Sequence, residues 1–386
     1  MPGTGPHAWN RPEKRMEGLA LDQLLLSMSK FDASDLHLKV GYSPYFRVAG
    51  ILRKVEAPPI TDSLQVEQAI APMIPEKRRG DFETKGDLDF SYQGSNGDRF
   101  RINVFRSGGQ THAAIRRVRS VIPTFKALRL PPIYEQLVER TNEGLLLISG
   151  VTGSGKSSTL AAMLDHINTT RNEHIITIED PVEFVFEPKK SVISQREIGT
   201  DVPNYDEALK YVVRQDPDVI FIGEMRDGPT MLASLQAAET GHLVMGSLHC
   251  ADAGSTFARI LEYFSQDQHE FIRSSLANSL AGICCQRLLP AIDEAISRVP
   301  ATEVLLNNST VRDKIRRAED EDLPAIIASS REDGMRNFTQ SLCELVEKEL
   351  VYYDTAMKYA PNREALQSEI KGISTASQGL VGRARR

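Results

Sequence analysis

Apolar residues recur along this chain with two different periods. Leu21, Leu24, Leu25 and Met28 fall at i, i+3, i+4 and i+7, one stripe of a short helix. Leu36, Leu38 and Val40 then alternate with His37 and Lys39, as in a half-buried strand. Residues 46–55 read as a hairpin turning at Ala49 and Gly50, residues 63–74 as helical, and residues 87–92 and 99–106 as strands. The first 120 residues are therefore expected to form a small α+β domain. Pro123, Pro131 and Pro132 mark a linker over 121–132 that carries a short helix. From 144 to 290 the pattern changes. Apolar runs (LLLIS at 145, IITI at 175, DVIFI at 218, HLVMGSL at 242) are separated by helical stretches such as 159–167. That alternation predicts a parallel α/β sheet. Residues 302–360 read as mostly helical, with Phe338, Leu342, Leu345 and Val346 on one face. The resulting division is a mobile tail at 1–16, a domain at 17–120, a linker at 121–135, a core with C-terminal helices at 136–365, and a small, polar, basic tail at 366–386 expected to be disordered.

Composition narrows the class. The 386 residues are 41% hydrophobic and 25% charged, in the range of globular proteins. This length predicts more than one domain. No apolar run approaches the roughly 20 residues that span a bilayer, and MPGTGPHAWNRPEKR has no signal-peptide core, so the cytoplasm is the expected compartment. Cys250, Cys284, Cys285 and Cys343 form no CxxC pair and predict neither a zinc ribbon nor a disulfide framework. A net charge of −6 gives no general attraction to nucleic acid.

One segment changes the picture most. GVTGSGKS, residues 150–157, follows an apolar run and precedes a helical one, the context of a phosphate-binding loop. Gly150, Gly153 and Gly155 permit a tight turn whose N–H groups face phosphate oxygens. The helix N-terminus adds partial positive charge. Lys156 supplies a full charge for the β- and γ-phosphates, and Ser157 offers a hydroxyl to Mg²⁺. With Thr152, Ser154 and Ser158, these residues make up the expected ATP-binding set.

Three acidic or histidine clusters lie at expected strand ends, where ligands bind in such sheets. TIEDPVEF places Glu179, Asp180 and Glu183 just past a strand, and either glutamate could orient or deprotonate an attacking water. DPDVIFIGEMRD delivers Glu224 to the sheet edge, resembling a Walker B strand whose glutamate holds Mg²⁺ through water. AETGHLVMGSLH brackets an apolar strand with His242 and His249, which as neutral imidazoles could donate to a γ-phosphate. In the first domain RFRINVF alternates, so that Arg101 projects from the face opposite Phe100, Ile102 and Val104. Arg116, Arg117 and Arg119 follow nearby, and an accessory domain can lend arginine to an adjoining nucleotide site.

Together these motifs resemble the type IV pilus retraction ATPases, the PilT family of the secretion ATPase superfamily. The resemblance spans residues 19–365 and rests on five motifs in family order: the Walker A loop, TIEDPVEF, DPDVIFIGEMRD, AETGHLVMGSLH and RFRINVF. It implies an α/β fold, with a PAS-like N-terminal α+β domain, a RecA-like P-loop core and a helical C-terminal region. It further implies a homohexameric ring on the cytoplasmic side of the inner membrane, working on a membrane platform protein, with a paralogous motor as a further partner. By the same resemblance Glu183 is the preferred base, Glu224 the Walker B glutamate, and His242 and His249 the His-box pair. The resemblance also makes Arg101 and Arg116 look like the arginines that reach nucleotide as domains close. TVRDKIRR at 310 resembles the family's retraction segment AIRNLIRE but departs at Thr310, Asp313, Lys314 and Arg317. Its apolar pair Val311 and Ile315 is expected to form a stripe that couples the core to a neighbour. An accessory motor of the PilU type is one alternative. An assembly ATPase is another, although this chain has neither the tetracysteine element nor the added N-terminal domains usual there. A nucleic-acid motor and a nucleotide-gated binding module complete the alternatives.

Overall fold

The computed structural model describes residues 20–48, 50–118, 121–293 and 296–372. The expected mobile segment 1–16, Ala49 of the hairpin turn, Arg119 and the end of the chain beyond Gly372 lie outside the described residues. Two compact units emerge. Of the described residues, the first holds those up to Val121 together with Pro181–Val185 and Gly199–Asp201; the second holds Ile122–Asp180, Phe186–Ile198 and those from Val202 to Gly372. Each has its own apolar core.

The first unit is a six-stranded antiparallel sheet with helices. Its strands are β1 (Ala33–Leu38), β2 (Tyr45–Val48), β3 (Ile51–Lys54), β4 (Asp87–Gln93), β5 (Arg99–Ser107) and β6 (Gln110–Val118), in the spatial order β3-β2-β1-β6-β5-β4. The alternation expected of a half-buried strand is present. Phe100, Ile102 and Val104 of β5 are fully buried and pack with Leu36, Leu38, Leu88, Phe90 and Ile115 from neighbouring strands. The helix Leu21–Lys30 contributes Leu21, Leu25 and Met28 to this core. A further helix, Arg79–Lys85, escapes the periodicity argument because it buries a single large side chain, Phe82.

The second unit is built on a seven-stranded sheet. Its strands are β7 (Gly144–Ser149), β8 (His174–Glu179), β9 (Val192–Glu197), β10 (Val219–Ile222), β11 (Leu243–Leu248), β12 (Leu280–Pro290) and β13 (Arg298–Leu306). The order is β13-β12-β7-β11-β10-β8-β9. All neighbours pair in parallel except β12 and β13. The central strands β7, β10 and β11 are buried at every position, as parallel strands covered on both faces must be. Alternation splits β7. Leu145 and Leu147 join the core containing Met231, Leu235, Ile272 and Leu276 from two helices. Leu146 and Ile148 turn to the opposite face, and the helix Lys156–Thr170 packs on β7 and β11 outside that core.

Four expectations need correction. Residues 298–306 form β13, not a helix; Val299, Ala301, Val304 and Leu305 are buried there against the sheet edge. The linker 121–135 holds turns up to Pro132, and the helix Ile133–Arg140 belongs to the core, where Tyr134 and Val138 are fully buried. The last helix runs over Arg363–Ile370 with Leu366 buried, so order continues past the expected start of the tail at 366. Val311 and Ile315 are both 0% exposed and lie within the apolar core of their own unit. That stripe seats the helix Ser309–Arg316 on its own unit and is not offered to a partner.

All four cysteines are free and buried. Burial pushes Cys284 up to about 12 and Cys343 up to about 11, and raises Cys250 and Cys285 as well.

Gly144 opens β7 at φ 108°, and an added Cβ there would stand 2.6 Å from the Ser279 carbonyl oxygen. Backbone blocks that space, and the conformation is one L side chains avoid. Gly144→Ala is expected to cost about 3 kcal/mol and to lower the thermal midpoint by several degrees, read by calorimetry.

Candidate functional site

The parallel register of the central sheet aligns strand ends. Ile222 of β10 pairs with Ile178 of β8 and with Gly246 of β11, and Gly246 pairs with Leu147 of β7. The segments that leave these four strands therefore emerge along one edge. They carry the phosphate loop, Glu179 and Asp180, Glu224, and His249.

The phosphate loop has the geometry its glycines require. Gly150 adopts φ 154°, Gly153 79° and Gly155 92°. A Cβ at Gly150 would lie 2.4 Å from Ser154 Oγ and 2.6 Å from the Gln286 carbonyl oxygen, so no other residue fits there. Gly155 caps the helix Lys156–Thr170, whose first N–H groups face the loop. Lys156 is buried, and its Nζ donates to the carbonyls of Gly150 at 2.7 Å and Val151 at 3.3 Å. Ser154 Oγ is buried without a hydrogen-bond partner. Thr152 and Gly153 are exposed at the loop's crest, and Ser157 and Ser158 sit half-buried in the first helical turn. A buried ammonium bonded to neutral carbonyls, next to an unsatisfied hydroxyl, is suited to receive an anion.

Glu224 follows β10 and is flanked by a guanidinium and an imidazole. Arg226 Nη2 donates to its Oε2 at 2.6 Å, and His249 Nε2 lies 3.3 Å from its Oε1. Burial on its own would raise the pKa. The Arg226 hydrogen bond and the charges of His249, Arg226 and Lys156 outweigh that effect and hold the carboxyl below its ordinary range. Walker A lysine and Walker B glutamate therefore feel each other's field.

Glu179 is 4% exposed and accepts hydrogen bonds from Thr177 Oγ1 at 2.7 Å and Gln195 Nε2 at 3.2 Å. These bonds fix it as part of the sheet end. Glu183 is exposed, between buried Val182 and Phe184, in the loop Pro181–Val185 that groups with the first unit.

The two histidines part company. His249 stands at the C-terminal end of β11 beside Glu224, whereas His242 precedes the strand's first residue. Six strand residues separate them, about 20 Å at the usual rise. His242 Nδ1 instead pairs with the Ala237 carbonyl at 2.9 Å and lies 3.2 Å from Thr240 Oγ1. Its reading as a second phosphate-facing histidine is corrected: the alternation of an apolar strand says nothing about which end holds the ligand.

Arg101 and Arg116 are register partners on β5 and β6 in the first unit. Arg101 pairs with Asp89 at 2.5 Å, and Arg116 Nε donates to Asp35 at 2.8 Å. Burial raises the Asp35 carboxyl, but the Arg116 and Ser34 hydrogen bonds bring it below its usual value. In this conformation both arginines serve as ion-pair partners within their own sheet.

Two residues escaped the sequence argument. Arg226 lies inside the Walker B motif, but its role depends on a side chain turning back toward Glu224. Tyr205 begins the helix Tyr205–Val212, and its phenol is pushed far up by burial and by the charges of Asp180, Glu179 and Glu224. The phenol thus shares the electrostatic surroundings of these three carboxylates. No spacing rule points to it, because it enters from the far side of β9 in sequence.

Mg²⁺ takes oxygen donors and keeps much of its water. The Ser157 hydroxyl, at the head of the helix, and the Glu224 carboxylate, kept ionised by its neighbours, fit that ion. They are the residues that would hold it, and the ion would supply charge to phosphate oxygens.

Arg226→Gln removes the largest support of the Glu224 carboxylate. The Glu224 pKa should rise, and the acid limb of the ATPase pH profile should move to higher pH while the alkaline limb stays. An unmoved acid limb would separate Glu224 from that ionisation.

The family profile described as "Type II/IV secretion system protein" matches residues 13–340. The type IV pilus retraction ATPase PilT of Pseudomonas aeruginosa is 38% identical over 340 residues, covering 88% of this chain and 98% of that protein. The type IV pilus ATPase PilU of the same organism is 34% identical over 370 residues, covering 94% and 96%. The crystal structure of the pilus retraction motor PilT with bound ADP superposes with a TM-score of 0.83 at 40% identity, covering 90% of this chain and 99% of that one. An α/β core with a buried parallel sheet, a phosphate loop, and a match over most of the sequence place this chain in the type II/IV secretion system protein family.

Proposed function

We propose that this chain is a motor ATPase of type IV pilus retraction, working as a homohexamer at the cytoplasmic face of the inner membrane. The observation that carries the reading is the convergence of Lys156, Glu224, Arg226 and His249 at one sheet edge, in a chain that aligns with PilT almost end to end. Among the described residues no helix is long and apolar enough to cross a membrane, so the link to the membrane is assigned to a platform protein.

ATP binds with its phosphates in the loop of residues 150–157, where Lys156 exchanges backbone carbonyls for phosphate oxygens. Ser157 and, through water, Glu224 would hold Mg²⁺, which would supply positive charge to the phosphate oxygens. His249, on the far side of the Glu224 carboxylate, donates toward the γ-phosphate. Glu183 takes the proton of the attacking water. The exposed position of Glu183 and the burial of Glu179 in the sheet end support this choice between the two. ADP and phosphate are the products. Arg101 and Arg116 exchange Asp89 and Asp35 for nucleotide phosphate during domain closure. The match to PilU over 94% of the chain, together with the altered segment at 310–317, favours an accessory retraction motor as the second reading.

Glu183→Gln should leave nucleotide binding near wild type and reduce the turnover number by about 10²-fold or more, because an amide accepts no proton. Glu179→Gln should instead lower thermal stability, with a smaller effect on turnover. A dead Glu179→Gln and an active Glu183→Gln would exchange the two assignments.

Direction of work is read from cells. Deletion of the gene should leave cells carrying excess surface pili and unable to twitch, scored by electron microscopy and stab motility. Bald cells would assign the chain to assembly. Normal piliation with weakened retraction force would assign the accessory role.

A further inference from the structure

A second cluster of ligating side chains lies in the core unit, away from the nucleotide edge. The helix Ile133–Arg140 packs on the phosphate-loop helix Lys156–Thr170. Glu135 and Glu139 are four residues apart on the first helix and so share a face. His166 comes from the second helix, ten residues beyond Lys156, or about 15 Å along the axis.

The imidazole lies between the two carboxylates. Its Nδ1 is 3.7 Å from Glu135 Oε1, and its Nε2 is 3.6 Å from Glu139 Oε1. Both distances exceed a hydrogen bond. Nε2 is buried and has no hydrogen-bond partner, an arrangement that costs free energy unless something occupies it. The ring packs against Phe125, with centroids 5.6 Å apart, which removes water from one side. Only 16% of the His166 side chain is exposed, while the glutamates are 49% and 56% exposed and able to rotate. Among the described residues His166 is the one basic group within ion-pair distance of either glutamate.

One ligand atom from each of the three residues lies within 4.8 Å of the others. Bonds of about 2.0–2.2 Å in a tetrahedral site put ligand atoms roughly 3.3 Å apart, so modest rotations of the two exposed carboxylates complete the shell. An imidazole nitrogen beside carboxylates selects a borderline ion. Mg²⁺ and Ca²⁺ prefer oxygen alone, whereas Zn²⁺ accepts nitrogen and oxygen together in four-coordinate sites.

We propose that Glu135, Glu139 and His166 bind one Zn²⁺, with water in the fourth position, and that this ion clamps the first helix of the core to the phosphate-loop helix. The site is separate from the Mg²⁺ site, and the inference stands whether or not the chain works on a pilus.

The test uses the full chain, treated with chelator and free of nucleotide, titrated with Zn²⁺ against a chromophoric indicator. One equivalent should bind with a micromolar or tighter Kd, and the thermal midpoint should rise with added Zn²⁺. His166→Gln and Glu139→Gln should each weaken binding by at least about tenfold and abolish the thermal shift. Both variants should melt like wild type without metal, which separates loss of the site from failure to fold. Co²⁺ in place of Zn²⁺ should give visible absorption in wild type that disappears in His166→Gln. No binding at 100-fold excess over protein would overturn the proposal, as would binding left unchanged in both variants.

Discussion

Parallel pairing of four fully or largely buried strands is the constraint on which the nucleotide site depends. Parallel strands must be covered on both faces, so their side chains are apolar throughout, as in β7, β10 and β11. Polar chemistry is thereby pushed off the strands and onto their ends. Because β8, β10, β11 and β7 run in the same direction with aligned register, each ends beside the next. Four sequence segments separated by dozens of residues then meet without any long-range contact designed for the purpose. Glycine completes the arrangement where backbone must approach backbone. Gly150 passes the Gln286 carbonyl at a distance no Cβ would allow, which ties the phosphate loop to β12.

The electrostatics of that edge are balanced internally. Lys156 is satisfied by carbonyls and Glu224 by Arg226 and His249, so neither charge is left bare in a partly dry site. The same economy appears on the sheet of the first unit. There Arg101 and Arg116 are neutralised by Asp89 and Asp35. The half-exposed Arg101–Asp89 pair is weak and salt-screened, whereas Arg116 is anchored on a buried carboxylate, Asp35. A phosphate group, carrying more charge than a carboxylate, can compete for such arginines on favourable terms.

Much of this was legible from the sequence, and the exceptions have physical causes. The four central strands announce themselves as short apolar runs, because burial on both faces leaves no room for polar residues. The glycine pattern of the phosphate loop is equally plain. β13 was hidden because Glu303 and Thr302 interrupt its apolar pattern, and strand identity there comes from pairing with β12. His242 and His249 look alike in sequence; only the direction of β11 relative to the phosphate loop distinguishes them. Val311 and Ile315 read as a free stripe because periodicity identifies a buried face without naming what buries it. Arg226 and Tyr205 depend on side-chain direction and on tertiary approach, neither of which a spacing argument contains.

The burial of every cysteine has a practical consequence for chemistry performed on this molecule. The thiolate is the reactive form, and burial disfavours it at Cys250, Cys284, Cys285 and Cys343 alike. Peroxide and maleimide reagents therefore find no ready target in the native state. One cysteine introduced at an exposed position would be the single fast-reacting handle, and a fluorophore attached there would report local motion without first stripping the chain of its own thiols.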